Sequence, residues 1–158
     1  MAKAGTTLSS STTNYQEVVS QIKMRMGKNK MAMVKAVRFY TFSNNMEDGE
    51  YYLHVTKVSD QDAILHANIQ AIASRLMQDT QILASCVIIT VVVAATEKQL
   101  VLPIVVKLEV PVPVTHDLSF VVSGVNKADA KIFGCEVEYD LVPITKDVEL
   151  RDMKQTLN

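Results

Sequence analysis

The 158-residue sequence has no tryptophan and contains only five glycines, four prolines and two cysteines. This scarcity of glycine and proline excludes collagen-like and low-complexity chains. Two cysteines are too few for a disulfide framework in a chain of this length, and both Cys86 and Cys135 lie in apolar runs, which predicts buried free thiols. Apolar residues make up 48% and charged residues 21%, so the composition and the length predict one folded globular domain.

Signals for export and membrane insertion are also missing. The first fourteen residues contain no apolar core of the kind that secretory signal peptides carry. The long uncharged run at 82–95 is shorter than the roughly 20 residues that a membrane-spanning helix needs. We therefore expect a protein of the cytoplasm or of a virion that is neither secreted nor transmembrane.

Catalytic and metal-binding motifs are absent from the sequence. The three histidines fall in separate predicted elements, and there is no Cys-x-x-Cys, His-Glu-x-x-His or glycine-rich phosphate loop. Glu136, Glu138 and Asp140 share one strand face, which we interpret as a solvated face that discourages edge pairing rather than as a cation site. We predict that the protein is not an enzyme and has no metal and no cofactor.

Strand-like segments dominate what is present. They are rich in β-branched and aromatic residues or alternate between apolar and polar, and they lie at 31–43, 51–58, 82–95, 100–114, 118–124 and 132–142. A parallel α/β sheet would need more helices than the sequence offers. The pattern predicts a mainly β protein, an antiparallel β-sandwich of the jelly-roll or Greek-key type.

Two helices are predicted beside these strands. A short N-terminal helix is expected over 14–26, because Thr13 and Gln16 have the spacing of a capping box and Gly27 can end it. An inserted amphipathic helix is expected over 60–78. Its apolar stripe has the spacing of one helical face and consists of Leu65, Ile69, Ile72 and Leu76.

The sequence divides into three predicted regions. Residues 1–30 form a mobile, Ser/Thr-rich basic arm with the short helix, residues 31–145 the β-sandwich domain, and residues 146–158 a polar tail. Charge is distributed unevenly along the chain. Residues 1–45 hold seven basic groups and one acidic group, a net charge of +6, whereas residues 46–158 hold nine basic and sixteen acidic groups, a net charge of −7.

The basic residues of the N-terminal part predict contact with nucleic acid. They are interleaved with methionines over 21–35 and are Lys23, Arg25, Lys28, Lys30 and Lys35. Flexible cations of this kind neutralise phosphates without reading bases. We therefore predict binding that is not sequence-specific, with RNA as the expected partner.

The block at 82–114 poses a problem of exposure. Its first arm, 82–95, is apolar on both faces, so we predict that it is central in a sheet or covered by another chain. Its second arm contains Pro103, Pro111 and Pro113, which restrict it to edge or bulged positions. The predicted subunit interface consists of Val87, Ile89, Val91, Val93, Leu102 and Ile104.

The order of a basic arm (1–30), strands (31–58), an inserted helix (60–78) and further strands (82–142) resembles the layout of small single-domain viral coat proteins of the jelly-roll type. This resemblance implies a structural protein of the virion that assembles with itself, possesses an RNA-binding arm and packs into a shell. One alternative is a non-enzymatic oligomeric protein that binds nucleic acid or acts as an adaptor. A second is a binder of small hydrophobic ligands, or an enzyme, whose apolar strands line a pocket.

Overall fold

The computed structural model describes residues 1–42, 49–57, 81–90, 103–125 and 130–144. These residues form eight strands: β1 (Ala2–Ser9), β2 (Val18–Ile22), β3 (Lys30–Thr41), β4 (Gly49–Thr56), β5 (Ile82–Thr90), β6 (Ile104–Val114), β7 (Leu118–Val125) and β8 (Ile132–Pro143). The described part of the chain is therefore mainly β and contains no helix, and so none long and apolar enough to cross a membrane.

The strands form two antiparallel sheets of four. The first sheet has the order β1-β8-β3-β6, and the second has the order β2-β7-β4-β5. Within them β1 pairs with β8, β2 with β7, β3 with β6 and β4 with β5. The chain is thus folded back on itself between β4 and β5, and it passes from one sheet to the other at each of the six remaining connections.

The inner faces of the two sheets share one hydrophobic core. Phe39 of β3 packs against Phe120 of β7 with ring centroids 6.2 Å apart, and Tyr51 of β4 packs against Phe133 of β8 at 4.9 Å. Each aromatic pair joins a strand of the first sheet to a strand of the second. Tilted aromatic pairs of this kind stabilise a core beyond their buried area.

Alternation along β8 follows the sequence prediction over most of its length. The inward residues Phe133, Cys135, Val137 and Tyr139 are buried, and the carboxylates of the same strand point outward. Leu141, which continues the inward series, is instead exposed near the end of the strand.

The two thiols are free, as the sequence predicts, but they differ in burial. Cys135 is buried and Cys86 is half-buried. Burial raises the pKa of both thiols, that of Cys86 to about 12. Both thiols are therefore expected to be protonated at neutral pH, which is the less reactive form.

The alternation of β4 is misleading about its burial. The sequence predicts a half-buried strand with His54 and Thr56 on a polar, solvated face. In the structure both of these side chains are buried, as are Tyr51, Leu53 and Val55 on the other face. Strand β4 lies between β7 and β5 in the second sheet, and both of its faces are covered.

The predicted helix over 14–26 is wrong. The Thr13 carbonyl accepts a hydrogen bond from Gln16 N–H at 3.3 Å, which closes a single turn, and Tyr15 has a positive φ of 63° that a helix does not allow. The chain then continues as β2. The β-branched Val18, Val19 and Ile22 fit a strand better than a helix.

The prediction of a mobile arm over 1–30 also needs correction. Residues 2–9 form β1, an edge strand of the first sheet that pairs with β8 from Ala2↔Tyr139 to Ser9↔Ile132. Ala4 and Leu8 reach the core. The predicted helix over 60–78 and the predicted tail over 146–158 lie outside the described residues.

Among the described strands, β5 and β6 lie at sheet edges. The proline prediction for the second apolar arm is confirmed, because β6 ends the first sheet and carries Pro111 and Pro113. The first arm is not central: within the described residues β5 ends the second sheet. Among the described strands, β5 therefore has a single neighbour in its sheet, β4.

Candidate functional site

The basic segment predicted to bind nucleic acid connects β2 to β3. Lys23, Arg25, Lys28 and Lys30 are all exposed on it. The backbone adopts positive φ at Gly27 (74°) and Asn29 (56°), two residue types that tolerate the left-handed region. These two residues turn the chain from the second sheet to the first and leave the cations on the outside.

Asp117, in the turn between β6 and β7, anchors the start of this segment. Its Oδ1 accepts a hydrogen bond from the Met24 backbone N–H at 2.8 Å, and its Oδ2 accepts one from the Gln21 side-chain amide at 3.2 Å. Met24 is buried between the exposed Lys23 and Arg25. The hydrogen bond to Met24 therefore positions the backbone at this point, and the neighbouring side chains of Lys23 and Arg25 lie at the surface.

Lys23 and Arg25 line a groove together with a third cation, Lys3 of β1. The groove has a volume of about 430 Å³, and its described lining contains no carboxylate. It lies where the edge strands of the two sheets meet, and a 2.7 Å hydrogen bond between the Thr6 and Ser20 hydroxyls joins these strands. We call it the cationic groove, with Lys3, Lys23 and Arg25 as its charged residues.

The charges of Lys23 and Arg25 are not neutralised by any described carboxylate within ion-pair distance, whereas Lys3 lies 3.6 Å from Glu136. Sequence reasoning missed Lys3, because nothing local indicates that β1 lies beside β2. The groove can hold an anion between Lys3 of β1 and the two cations of the connection between β2 and β3.

Lys35, the fifth predicted cation, does not line this groove. It forms an ion pair with Asp140 on the outer face of the first sheet. Glu136 on the same strand lies 3.6 Å from Lys3 and 3.7 Å from Arg38. The outward carboxylates Glu136 and Asp140 thus pair with cations of neighbouring strands, which opposite charges across a ladder favour.

The Lys35–Asp140 pair predicts a pH dependence. The hydrogen bond from Lys35 lowers the pKa of Asp140. Because the pKa is lower in the folded state, the contribution of the pair to stability is present above the ordinary carboxyl pKa and is lost as the pH falls through the folded-state value. An NMR titration of the Asp140 carboxyl carbon should show a low midpoint, and Lys35→Met should raise it. Lys107→Met, at an exposed lysine of β6, should leave it unchanged; an equal shift in both variants would contradict the pairing.

The predicted interface residues fall into three groups. Val87 and Ile89 on β5 are 46% and 66% exposed. Ile104 instead packs against the core from the inner face of β6. Val91, Val93 and Leu102 lie outside the described residues.

Sequence reasoning missed Val105 and Val110, which are exposed on β6. Lys107 and Glu109 are exposed as well, which shows that the odd-numbered residues in this part of β6 face outward. Val105 is also odd-numbered, so the alternation of side chains along the strand indicates that it faces outward. The edge strands β5 and β6 contact each other, so together they present exposed apolar side chains along one side of the molecule.

Over the described ranges, no three His, Cys, Asp or Glu side chains come together as a metal site would require. What the described surface offers is a cationic groove at one side of the sheets and apolar edge strands at the other. Comparison of the chain with protein families, with curated proteins and with solved structures finds no match.

Proposed function

We propose that the protein is a small viral capsid protein, a self-assembling structural protein that packs into a shell and contacts nucleic acid through exposed cations. The observation that carries this proposal is the nested pairing of eight strands: first with eighth, second with seventh, third with sixth and fourth with fifth. Eight antiparallel strands wrapped in this order into two facing sheets form a β-sandwich of the jelly-roll type. Capsid domains are among the proteins built on it.

The fold alone does not decide the function, because lectins and cupins also use jelly rolls. Two surface features favour a shell protein. Apolar side chains are exposed on the edge strands β5 and β6, where monomeric proteins usually place charges. Val87 and Ile89 project from β5, and Val105 and Val110 from β6. Cover by a second copy of the chain would remove these side chains from water.

The second feature is the cationic groove with its adjoining basic segment. Lys23, Arg25, Lys28 and Lys30 are exposed on one connection. Each phosphate contact releases counterions, so such a segment gives affinity without sequence specificity. RNA remains the expected partner in this proposal, and a virion or the cytoplasm the expected location.

Solution size and nucleic-acid content test the proposal together. We expect the purified protein to elute as large particles with a raised 260/280 nm absorbance ratio. Nuclease with high salt should lower the ratio. A monomer without nucleic acid would contradict both parts. A dimer that binds nucleic acid but builds no particle would favour the adaptor alternative, and a monomer stabilised by a hydrophobic ligand would favour the second alternative.

Reversing charge on the basic segment should reduce nucleic-acid uptake. The double variant Lys28→Glu with Lys30→Glu is expected to fold and assemble, because both side chains are exposed. Its particles should have a lower 260/280 nm absorbance ratio, because they bind less nucleic acid. Each lost phosphate contact also removes about 0.7 from the slope of log affinity against log salt for a single strand. The control is Thr12→Glu, at an exposed position between β1 and β2. An unchanged ratio in the double variant would show that this segment does not contact nucleic acid.

A further inference from the structure

A second hollow adjoins the cationic groove on the outer face of the first sheet. Two cross-strand residue pairs form the floor of this hollow. Gly5 of β1 pairs with Glu136 of β8, and Thr7 pairs with Gly134. Since Gly5 and Gly134 have no side chains, the outer surface is recessed between β1 and β3.

Aromatic rings border this hollow. Tyr40, which pairs with Gly134, and Phe42 have stacked rings, with centroids 6.0 Å apart and an angle of 25° between their planes. The Phe42 ring covers Gly134, because a Cβ atom placed there would lie 2.5 Å from Phe42 Cε2. Phe42 is nevertheless 55% exposed. We call Tyr40 and Phe42 the aromatic platform.

The aromatic platform and the cationic groove are parts of one continuous surface. The hollow beside the platform has a volume of about 540 Å³, and its lining shares Gly5 and Thr6 with the lining of the groove. These two shared residues belong to β1, so in the described structure β1 lies between the platform and the groove. Strands β1 and β3 are two strand spacings apart, about 10 Å, so adjacent nucleotides of an extended chain reach from one to the other.

From this arrangement we propose that the surface binds single-stranded nucleic acid, with a base stacked on Tyr40 and Phe42 and the adjoining phosphates held by Lys3, Lys23 and Arg25. Every nucleobase has a flat apolar face and is followed by an anionic phosphate, which matches a platform beside a groove of three cations. A duplex keeps its bases stacked inside and cannot offer one to the rings. A neutral sugar could stack on the rings but would leave Lys23 and Arg25 without a described anionic partner.

This inference extends the proposed function by naming the form of the nucleic acid and the second set of contacts. It requires that nucleic acid is a partner, but it does not require a shell. The two proposals therefore have separate tests.

The experiment measures fluorescence anisotropy of a labelled oligouridylate with the full chain, below the concentration at which it assembles. Phe42→Ala should weaken single-strand binding about tenfold, the scale of one stacked base, and leave the salt slope unchanged. Phe42→Leu, which keeps the ring's apolar volume but not its flat face, should weaken it as well. A retained circular dichroism spectrum would separate either effect from misfolding.

Substitutions in the cationic groove test the phosphate contacts. Lys23→Glu with Arg25→Glu should lower the salt slope by about 1.4, since each phosphate contact to a single strand contributes about 0.7. Lys107→Glu, on the far edge of the first sheet, should change neither affinity nor slope. Binding to a duplex of the same length should be weaker in the parent and insensitive to Phe42→Ala.

Unchanged single-strand binding in Phe42→Ala would overturn the inference, as would binding of a neutral oligosaccharide in place of the oligonucleotide. Ring-dependent binding by a protein that never forms particles would support the inference and contradict the capsid proposal. Particles that form without nucleic acid, from a protein with no affinity for oligouridylate, would contradict the inference and support the assembly of a shell.

Discussion

Ile88→Lys is expected to prevent folding, whereas Ile89→Lys is expected to leave a folded protein that no longer assembles. The two residues are neighbours on β5, but Ile88 is 6% exposed and belongs to the core, while Ile89 is 66% exposed. Loss of a buried isoleucine costs about 1.5–3 kcal/mol, and an unpaired charge in the core costs several more. This total approaches the roughly 5–15 kcal/mol by which domains are stable.

Thermal unfolding and light scattering of the two variants distinguish the outcomes. Ile88→Lys should show no cooperative transition. Ile89→Lys should melt near the parent temperature and scatter as a small species. Thr12→Lys, which adds the same charge at an exposed site on the other side of the molecule, should assemble normally. Normal assembly of Ile89→Lys would show that β5 is not a subunit contact.

Phe39→Ala is expected to lower the free energy of unfolding by about 3–5 kcal/mol. Phe39 is buried, and its ring contacts Phe120 across the two sheets, so truncation leaves a cavity where the sheets meet. Phe42→Ala, only three residues further along the chain, removes the same ring from an exposed site and should cost about 1 kcal/mol or less. Urea denaturation of both variants provides the comparison. Equal losses would mean that Phe39 does not hold the sheets together.

The error over 14–26 has a specific physical origin. Val18, Ile22 and Met26 recur every four residues, a spacing that places side chains on one face of a helix and equally on one face of a strand. The intervening residues decide between the two. Met24, two residues after Ile22, is buried like Ile22 itself, which is the period of a strand.

Strand β1 could not be predicted because its stability is not local. Residues 2–9 contain only one large apolar side chain, Leu8, and their composition is typical of a mobile segment. They are ordered by backbone pairing with β8, whose first residue follows the end of β1 by more than a hundred residues in sequence. Strand formation depends on such partners more than on intrinsic preference.

The candidate site could be predicted only in part, because the contacts that complete it also depend on strands that are distant in sequence. Lys23 and Arg25 were identified from their local pattern, and the structure places both on one groove. Lys3 joins them only through the adjacency of β1 and β2, and Lys35 is paired with Asp140 only through the register of β3 and β8. Residue types in a segment indicate the available charges, whereas the sheet topology determines which charges meet.

The nested strand order also has a consequence for biosynthesis. Pairing can spread outward from β4 and β5, but β1 cannot dock until β8 has left the ribosome, and closing so long a loop makes folding slow. Lys3 lies on β1, so the cationic groove cannot be complete before β1 has docked. A nascent chain therefore lacks the finished groove, which delays full capture of nucleic acid until the domain has been synthesised and closed.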